Sequence, residues 1–372
     1  MIRTGAVARL AAVAATALMS CRTVAAPGRP ADRVWVGPMP FVSDRTFRSD
    51  YLPMLLDERL WPTVLKRTQV LKSYLMVLPS DPVPGKRAPE ASDEQLRALA
   101  RFVRRHRLKV AVEVGGIRMA ADTPCDQAGE TTAQGELRHL RRWLKAGGRI
   151  DYLTTDHAVM MTVGAPYVNP KSFAHRGMTV SDAIGELADY FSIMHRAIPG
   201  ARLGIIESLG FFTVDAGSRT YLRTVPALPV WRFDEFIAEV VEAMHRRGLR
   251  LDHFHVDFGW EGARHDGLGK PDCGRILAVE AALRRHGVRP GVIINAFHDG
   301  MAANPDPAEA SRQAVANTLR FTDAYLATGG AADHLVVQTW QPYPDRTGPE
   351  TDPNTVLGLA EAVLDRLPLD RR

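Results

Sequence analysis

In His253-Phe254-His255-Val256-Asp257-Phe258-Gly259-Trp260, apolar and polar side chains alternate with the period of a strand. Phe254 and Val256 suit a covering layer of helices, and the alternation then turns His253, His255 and Asp257 to the opposite face. A purely structural interior would carry branched apolar residues there, because an unpaired buried charge is costly. The stretch reads as a buried strand that ends in a polar site.

Seven further runs of the same character surround it. They begin at Arg33-Val34-Trp35-Val36-Gly37, Ser73-Tyr74-Leu75-Met76-Val77, Lys109-Val110-Ala111-Val112-Glu113, Ile150-Asp151-Tyr152-Leu153, Arg202-Leu203-Gly204-Ile205-Ile206, Pro290-Gly291-Val292-Ile293-Ile294 and His334-Leu335-Val336-Val337-Gln338. Each is followed by a longer segment of helical period, so the alternation predicts a parallel sheet with crossover helices. Ser92-Asp93-Glu94-Gln95 is a capping box that starts one helix, and Gly147, Gly248 and Gly287 stop three others just after basic turns. Strand-to-helix loops span roughly 8 to 23 residues and helix-to-strand turns about 1 to 4, which gathers the long loops on one face. No Gly-rich phosphate fingerprint follows the first strand, which argues against a doubly wound open sheet. The expected fold is therefore a single α/β domain, a (β/α)8 TIM barrel over residues 33–372, with its site at the C-terminal strand ends.

The same parity applied around the barrel assembles that site. On strand three Val110, Val112 and Val114 face outward and Glu113 inward; on strand eight Leu335 and Val337 face outward and Gln338 and Trp340 inward. Strand four ends at Asp156-His157, strand five at Glu207-Ser208, and strand seven at Asn295-Ala296-Phe297 followed by His298-Asp299. Acidic groups from Glu113, Asp156, Glu207, Asp257 and Asp299 thus share one rim, where crowding pushes carboxyl pKa values apart and separates a proton donor from a nucleophile or base. Trp260, Trp340, Tyr343, Phe211 and Phe297 add flat apolar faces, which suit the C–H faces of a sugar ring while amides and carboxylates take its hydroxyls. His253, the deepest of its row, reads as a core histidine.

On these residues the layout resembles that of barrel-type glycoside hydrolases over nearly the whole mature chain. The α-galactosidase and α-glucosidase clan keeps an Asp nucleophile at the end of strand four and an Asp acid/base on strand six, matched here by Asp156 and Asp257. The α-amylase family keeps Asp on strand four, Glu on strand five and His-Asp after strand seven, matched by Asp156, Glu207 and His298-Asp299. That family's Arg two residues before the strand-four Asp is Thr154 here. The Asn-Glu pair of the large β-glycosidase clan is missing from strand four, and Asn295 stands where that clan has its nucleophilic Glu. Chitinases of the DxxDxDxE type do not fit either, since Asp151 and Asp156 lack the remaining acids. The resemblance implies cleavage of glycosidic bonds without a cofactor, with Asp156 as nucleophile or stabiliser, Asp257 as acid/base and Glu207 as its rival. Glu113, His255, Trp260, Asn295, His298, Asp299, Gln338, Trp340 and Tyr343 would bind the carbohydrate. Two carboxyl groups must then flank one bond, about 5–5.5 Å apart for retention or 6.5–9.5 Å for inversion.

Two other classes compete. A glycan-binding envelope lipoprotein would keep the pocket without turnover. A metal-dependent hydrolase would use His255 and Asp257 with Glu113, Asp156 or His298, but no His-x-His occurs on strand one and no HExxH anywhere, and no metal is assigned.

The N-terminus reads as a processing segment. Arg3 and Arg9 precede an apolar run from Leu10 to Met19 that is too short to span a bilayer as a finished helix. Its end, Leu18-Met19-Ser20-Cys21, resembles a bacterial lipobox, which implies a signal peptide over residues 1–20, a lipidated Cys21, a linker over 21–32, and an exported, envelope-anchored monomer. Val24-Ala25-Ala26 offers ordinary signal-peptidase cleavage instead. A pI of about 9.2 arises from Arg residues that share helices with Asp and Glu, such as Arg101, Arg104 and Arg105, so it marks solvated faces and no nucleic-acid patch. Cys125 and Cys273 are left in the mature chain, and two separate thiols are favoured over a bridge because their loops stand three strands apart.

Overall fold

The computed structural model describes residues 32–38, 41–43, 46–47, 50–78, 91–119, 123–163, 178–209, 212–214, 231–257, 273–296, 306–339 and 342–367. The expected signal peptide, Cys21, Trp260, His298, Asp299 and Trp340 lie outside the described residues. Eight strands form a closed barrel: β1 (Val34–Gly37), β2 (Val70–Tyr74), β3 (Lys109–Val114), β4 (Tyr152–Asp156), β5 (Arg202–Ser208), β6 (Leu251–Asp257), β7 (Arg289–Ile294) and β8 (His334–Gln338). Every neighbouring pair is parallel and in chain order, and β1 closes the ring against β8. Helices α1 (Pro62–Arg67), α2 (Asp93–Arg105), α3 (Ala128–Lys145), α4 (Val180–Ala197), α5 (Phe233–Arg246), α6 (Gly274–Arg285), α7 (Pro307–Ala327) and α8 (Val356–Arg366) follow the strands in turn. This is the (β/α)8 TIM barrel.

Local chemistry sets the helix limits. Ser92 Oγ accepts the Gln95 N–H while Gln95 Oε1 accepts the Ser92 N–H, the reciprocal cap that starts α2. Gly147 and Gly248 sit just past α3 and α5 at φ +88° and +69°, a left-handed turn in which a side chain would be strained.

Two separate apolar sets follow from strand parity. The larger packs the outer strand faces against the helices, with Leu153, Phe254, Val256, Leu335 and Val337 among its members. The smaller fills the barrel and contains Trp35, Val70, Ala111, Tyr152, Ile206, Ile293 and Val336. Around Trp35 stand the rings of Tyr152, His253, His255 and His334, with centroids 4.6 to 5.6 Å from the indole. Two glycines make room for two of these imidazoles. A Cβ on Gly204 would lie 2.1 Å from His253 Nε2, and one on Gly291 would lie 2.3 Å from His255 Cδ2. Below them, at the N-terminal end, Asp32 accepts from Lys109, Tyr152 and Arg202, tying β3, β4 and β5 to the residue that leads into β1.

The second strand starts three residues earlier than its most apolar run predicts. Leu75–Val77 forms a single 3-10 turn instead. Pairing explains the shift: Val70 lies beside Lys109 and Tyr74 beside Glu113, so Val70–Tyr74 is the stretch in register with β3. Strand four likewise begins at Tyr152 and runs to Asp156, later than the apolar pattern at Ile150 suggests.

Candidate active site

Interior parity toward the C-terminal ends of the strands gathers Gly37, Lys72 and Tyr74, Glu113, Asp156, Ser208, Asp257, Asn295 and Gln338. The structure therefore brings together Glu113, Asp156, Asp257, Asn295 and Gln338 as the sequence places them. Each of these five is held by a specific partner.

Lys72, wholly buried, extends its Nζ to 2.5 Å from Glu113 Oε2 and also donates to Gln338 Oε1. Gly37 permits this, because a Cβ there would stand 2.9 Å from Lys72 Cβ. Burial raises the Glu113 carboxyl, Lys72 opposes the rise, and the nearby Asp156 charge adds to it. Asp156 has both oxygens engaged: Oδ1 lies 2.6 Å from His157 Nδ1, and Oδ2 lies 2.7 Å from Arg118 Nη2. Burial alone would raise its pKa, but the His157 and Arg118 charges hold it well below the usual carboxylate range. His157 follows the strand at φ +49°, a left-handed backbone uncommon outside glycine. Burial would lower its imidazole, yet Asp156, Asp257 and Glu207 push it up to about 9, so both ring nitrogens carry protons at neutral pH.

Asp257 is the most open of these acids, with 19% of its side chain exposed against 4% for Asp156. Its Oδ2 stands 3.9 Å from His157 Nε2, and its Oδ1 accepts from Asn295 Nδ2 at 3.3 Å. Burial raises the Asp257 pKa against the pull of His157, and the Asp156 charge raises it further. One imidazole with contacts of 2.6 and 3.9 Å at its two ends keeps Asp156 and Asp257 within about 9 Å of each other. Two neighbouring carboxyls displaced in opposite directions form the electrostatic arrangement that separates an acid from a permanent anion.

Two sequence-based expectations need correction. Glu207 stands on the opposite strand parity from Gly204 and Ile206, and its Oε1 accepts the N–H groups of Val159 at 3.0 Å and Met160 at 3.4 Å. It supports the turn that follows β4, so as a rival acid for Asp257 it is badly aimed. Burial pushes its pKa up to about 7. His255 is wholly buried, shares a 3.0 Å hydrogen bond with His334 and packs on Trp35. It lies one interior step deeper than Asp257, so only the last polar residue of that strand reaches the rim. His253 is the core histidine expected of it, sharing a 2.9 Å hydrogen bond with Thr154 Oγ1. Tyr343 is half-buried in the segment after β8.

Three further side chains of the candidate site are not among those the sequence suggests. Lys72 was hidden by the misplaced second strand, and its signal is the polar residue of Val70-Leu71-Lys72-Ser73-Tyr74 at interior parity. Arg118 lies in the turn Gly116–Met119, where no period predicts direction. His157 was visible beside Asp156 but carries no parity, because the strand has ended. Glu136 on α3 accepts the Gly115 N–H at 2.8 Å and the Tyr190 hydroxyl at 2.5 Å, and so anchors the turn that presents Arg118.

Among the described residues no group of three or more His, Cys, Asp or Glu side chains is arranged to hold a metal ion. His298, which the metal-dependent reading drew on, lies outside them. Cys125 is exposed, Cys273 is buried, and neither is in a disulfide. No described helix is long and apolar enough to cross a membrane.

No family model matches the chain, and no curated protein does. Among solved structures it is similar to an Ignisphaera aggregans GH53 catalytic domain, at 11% identity over 84% of this chain and 86% of that one, with a TM-score of 0.48. Similarity at that level bears on neither the residues nor the reaction. What the chain itself presents is a closed eight-stranded parallel barrel whose C-terminal rim carries a low-pKa Asp156 and a raised-pKa Asp257 at the two ends of one imidazole.

Proposed function

We propose that this protein is an exported glycoside hydrolase, held at the cell envelope through Cys21, that cleaves glycosidic bonds at the C-terminal rim of its barrel. The observation that carries the reading is the opposed displacement of Asp156 and Asp257 at the open end of the barrel. Asp257, raised and partly open, acts as proton donor to the leaving oxygen; Asp156, ionised and braced, stabilises positive charge as it develops on the sugar ring. Their separation of at most about 9 Å falls within the inverting range or below it. Carbohydrate is the substrate class, the working unit is a monomer, and no cofactor takes part.

One observation favours glycan binding without turnover as a second reading: both Asp156 oxygens are already paired, to Arg118 and His157. Turnover on a broad oligosaccharide panel separates the two. The hydrolase reading expects product from the wild-type chain and a loss of at least ~100-fold in kcat for Asp257→Asn. Saturable glycan binding with no product from any member would establish the binding protein instead. Activity that disappears with chelator and returns with Zn would overturn both in favour of a metal-dependent hydrolase.

A further inference from the structure

Among the described residues His157 lies against both carboxyls of the proposed pair, and neither the strand pattern nor the family resemblance gives it a role. Its Nδ1 lies 2.6 Å from Asp156 Oδ1 and its Nε2 lies 3.9 Å from Asp257 Oδ2. Asp156 is in turn fixed by Arg118 at 2.7 Å, so the ring is oriented from a braced side toward an open one. The backbone contributes as well. The left-handed turn at φ +49° lets the side chain of the residue after the strand fold back over the rim, and the His157 N–H donates to the Ile206 carbonyl at 2.9 Å, which fixes that turn to β5.

We propose that His157 is a positioning residue of this site, an imidazole oriented by Asp156 that holds an N–H toward Asp257 and so fixes where that carboxyl delivers its proton. This rests on the hydrolase reading. In the step it serves, Asp257 passes its proton to the leaving oxygen as the bond from the anomeric carbon to that oxygen breaks and the electron pair stays with the oxygen. Water adds its oxygen to the anomeric carbon and releases a proton. The proton that water released returns to the Asp257 carboxylate while His157 keeps both of its ring protons, so the cycle closes with no net change in the protein. The charged groups around the ring are Asp156 on its own strand, Asp257 on β6 and Glu207 on β5, with Arg118 reaching it through Asp156.

The test has a structural arm and a kinetic arm, so that failure of the reaction and failure of the role are told apart. Histidine-labelled full-length chain is titrated by 15N NMR, with the His157 signals identified by their loss in His157→Asn. Asn tolerates the left-handed backbone and lacks the charge. Both ring nitrogens should stay protonated through neutral pH, with a midpoint near 9. In Asp156→Asn the midpoint should fall by more than about one unit. A wild-type midpoint at the ordinary value of about 6.5, or no change in Asp156→Asn, overturns the proposal whether or not a substrate has been found. On the oligosaccharide that turns over, His157→Asn should lower kcat about 10- to 100-fold with KM little changed, and added imidazole should recover part of the loss. Equal changes in kcat and KM without rescue would overturn it too.

Discussion

Single side chains decide the balance of charge at the rim, and Glu207 shows how. Its carboxyl is wholly buried, accepts two backbone N–H groups and titrates near 7, above the ordinary value. A group raised on folding contributes stability that is fully present below its unfolded value and is lost as pH rises through the folded one. The window runs from about 4.5 to about 7. Glu207→Gln keeps an oxygen for the same N–H groups and cannot ionise, so relative to wild type it should gain about 3 kcal/mol between pH 5 and pH 8. Urea melts at the two pH values measure this, and an unchanged difference would show that Glu207 is ionised without penalty. Cys125 and Cys273 offer a second test at this scale. On the mature chain, whose Cys21 thiol is lipidated in the proposed reading, one alkylation should occur at exposed Cys125 and the second only after unfolding, when buried Cys273 appears. A chain that resists alkylation of both until reductant is added would contain a bridge. The inward direction of Asp156, Asp257 and Glu113 was legible because alternation holds along a strand. Arg118 and His157 were not, since beyond the last strand residue direction is set by turns and tertiary hydrogen bonds, which leave no period.

Elements fit together here through reciprocal sizes. Gly204 on β5 faces His253 on β6, and Gly291 on β7 faces His255, so each imidazole fills the space that a missing side chain leaves on a neighbouring strand. Gly204→Ala should destabilise the barrel by about 1–3 kcal/mol, because the added methyl meets a ring with no room to retreat. His253→Ala should cost a similar or larger amount through the cavity it opens. The double variant should be more stable than the sum of the two predicts, and chemical denaturation of the four proteins checks the coupling. Strict additivity would mean that the ring moves aside freely. The partners of the two glycines could not be read from the sequence, because register between strands comes from closure of the whole ring. The same cause moved the second strand. The run at Tyr74-Leu75-Met76-Val77 is the more apolar one, yet pairing with β3 selects Val70–Tyr74 and brings Lys72 inside.

Across the whole molecule the two ends of the barrel do different work. At the N-terminal end Asp32 links Lys109, Tyr152 and Arg202, and Asp252 pairs with Arg289, while the middle is filled by Trp35, Tyr152 and three histidines. Burial lowers the pKa of His253, His255 and His334, with their mutual charges adding to the effect for the last two. The folded chain keeps them neutral, whereas the unfolded chain binds their protons once pH drops below about 6.5, so their own contribution to stability should decline from there toward pH 5, against the opposite trend from Glu207. Replacing His334 with Gln, which does not titrate, should flatten that decline in thermal melts across the range; an equally steep slope would place the acid sensitivity elsewhere. Loss of the Asp32 network in Asp32→Asn should cost about 2 kcal/mol at neutral pH without touching the rim. The filled lower half also governs traffic. Among the described residues the barrel below Asp257 is filled, so under the proposed hydrolase reading a released sugar and a waiting one contend for a single threshold, and accumulating product should slow turnover as a competitor of the substrate.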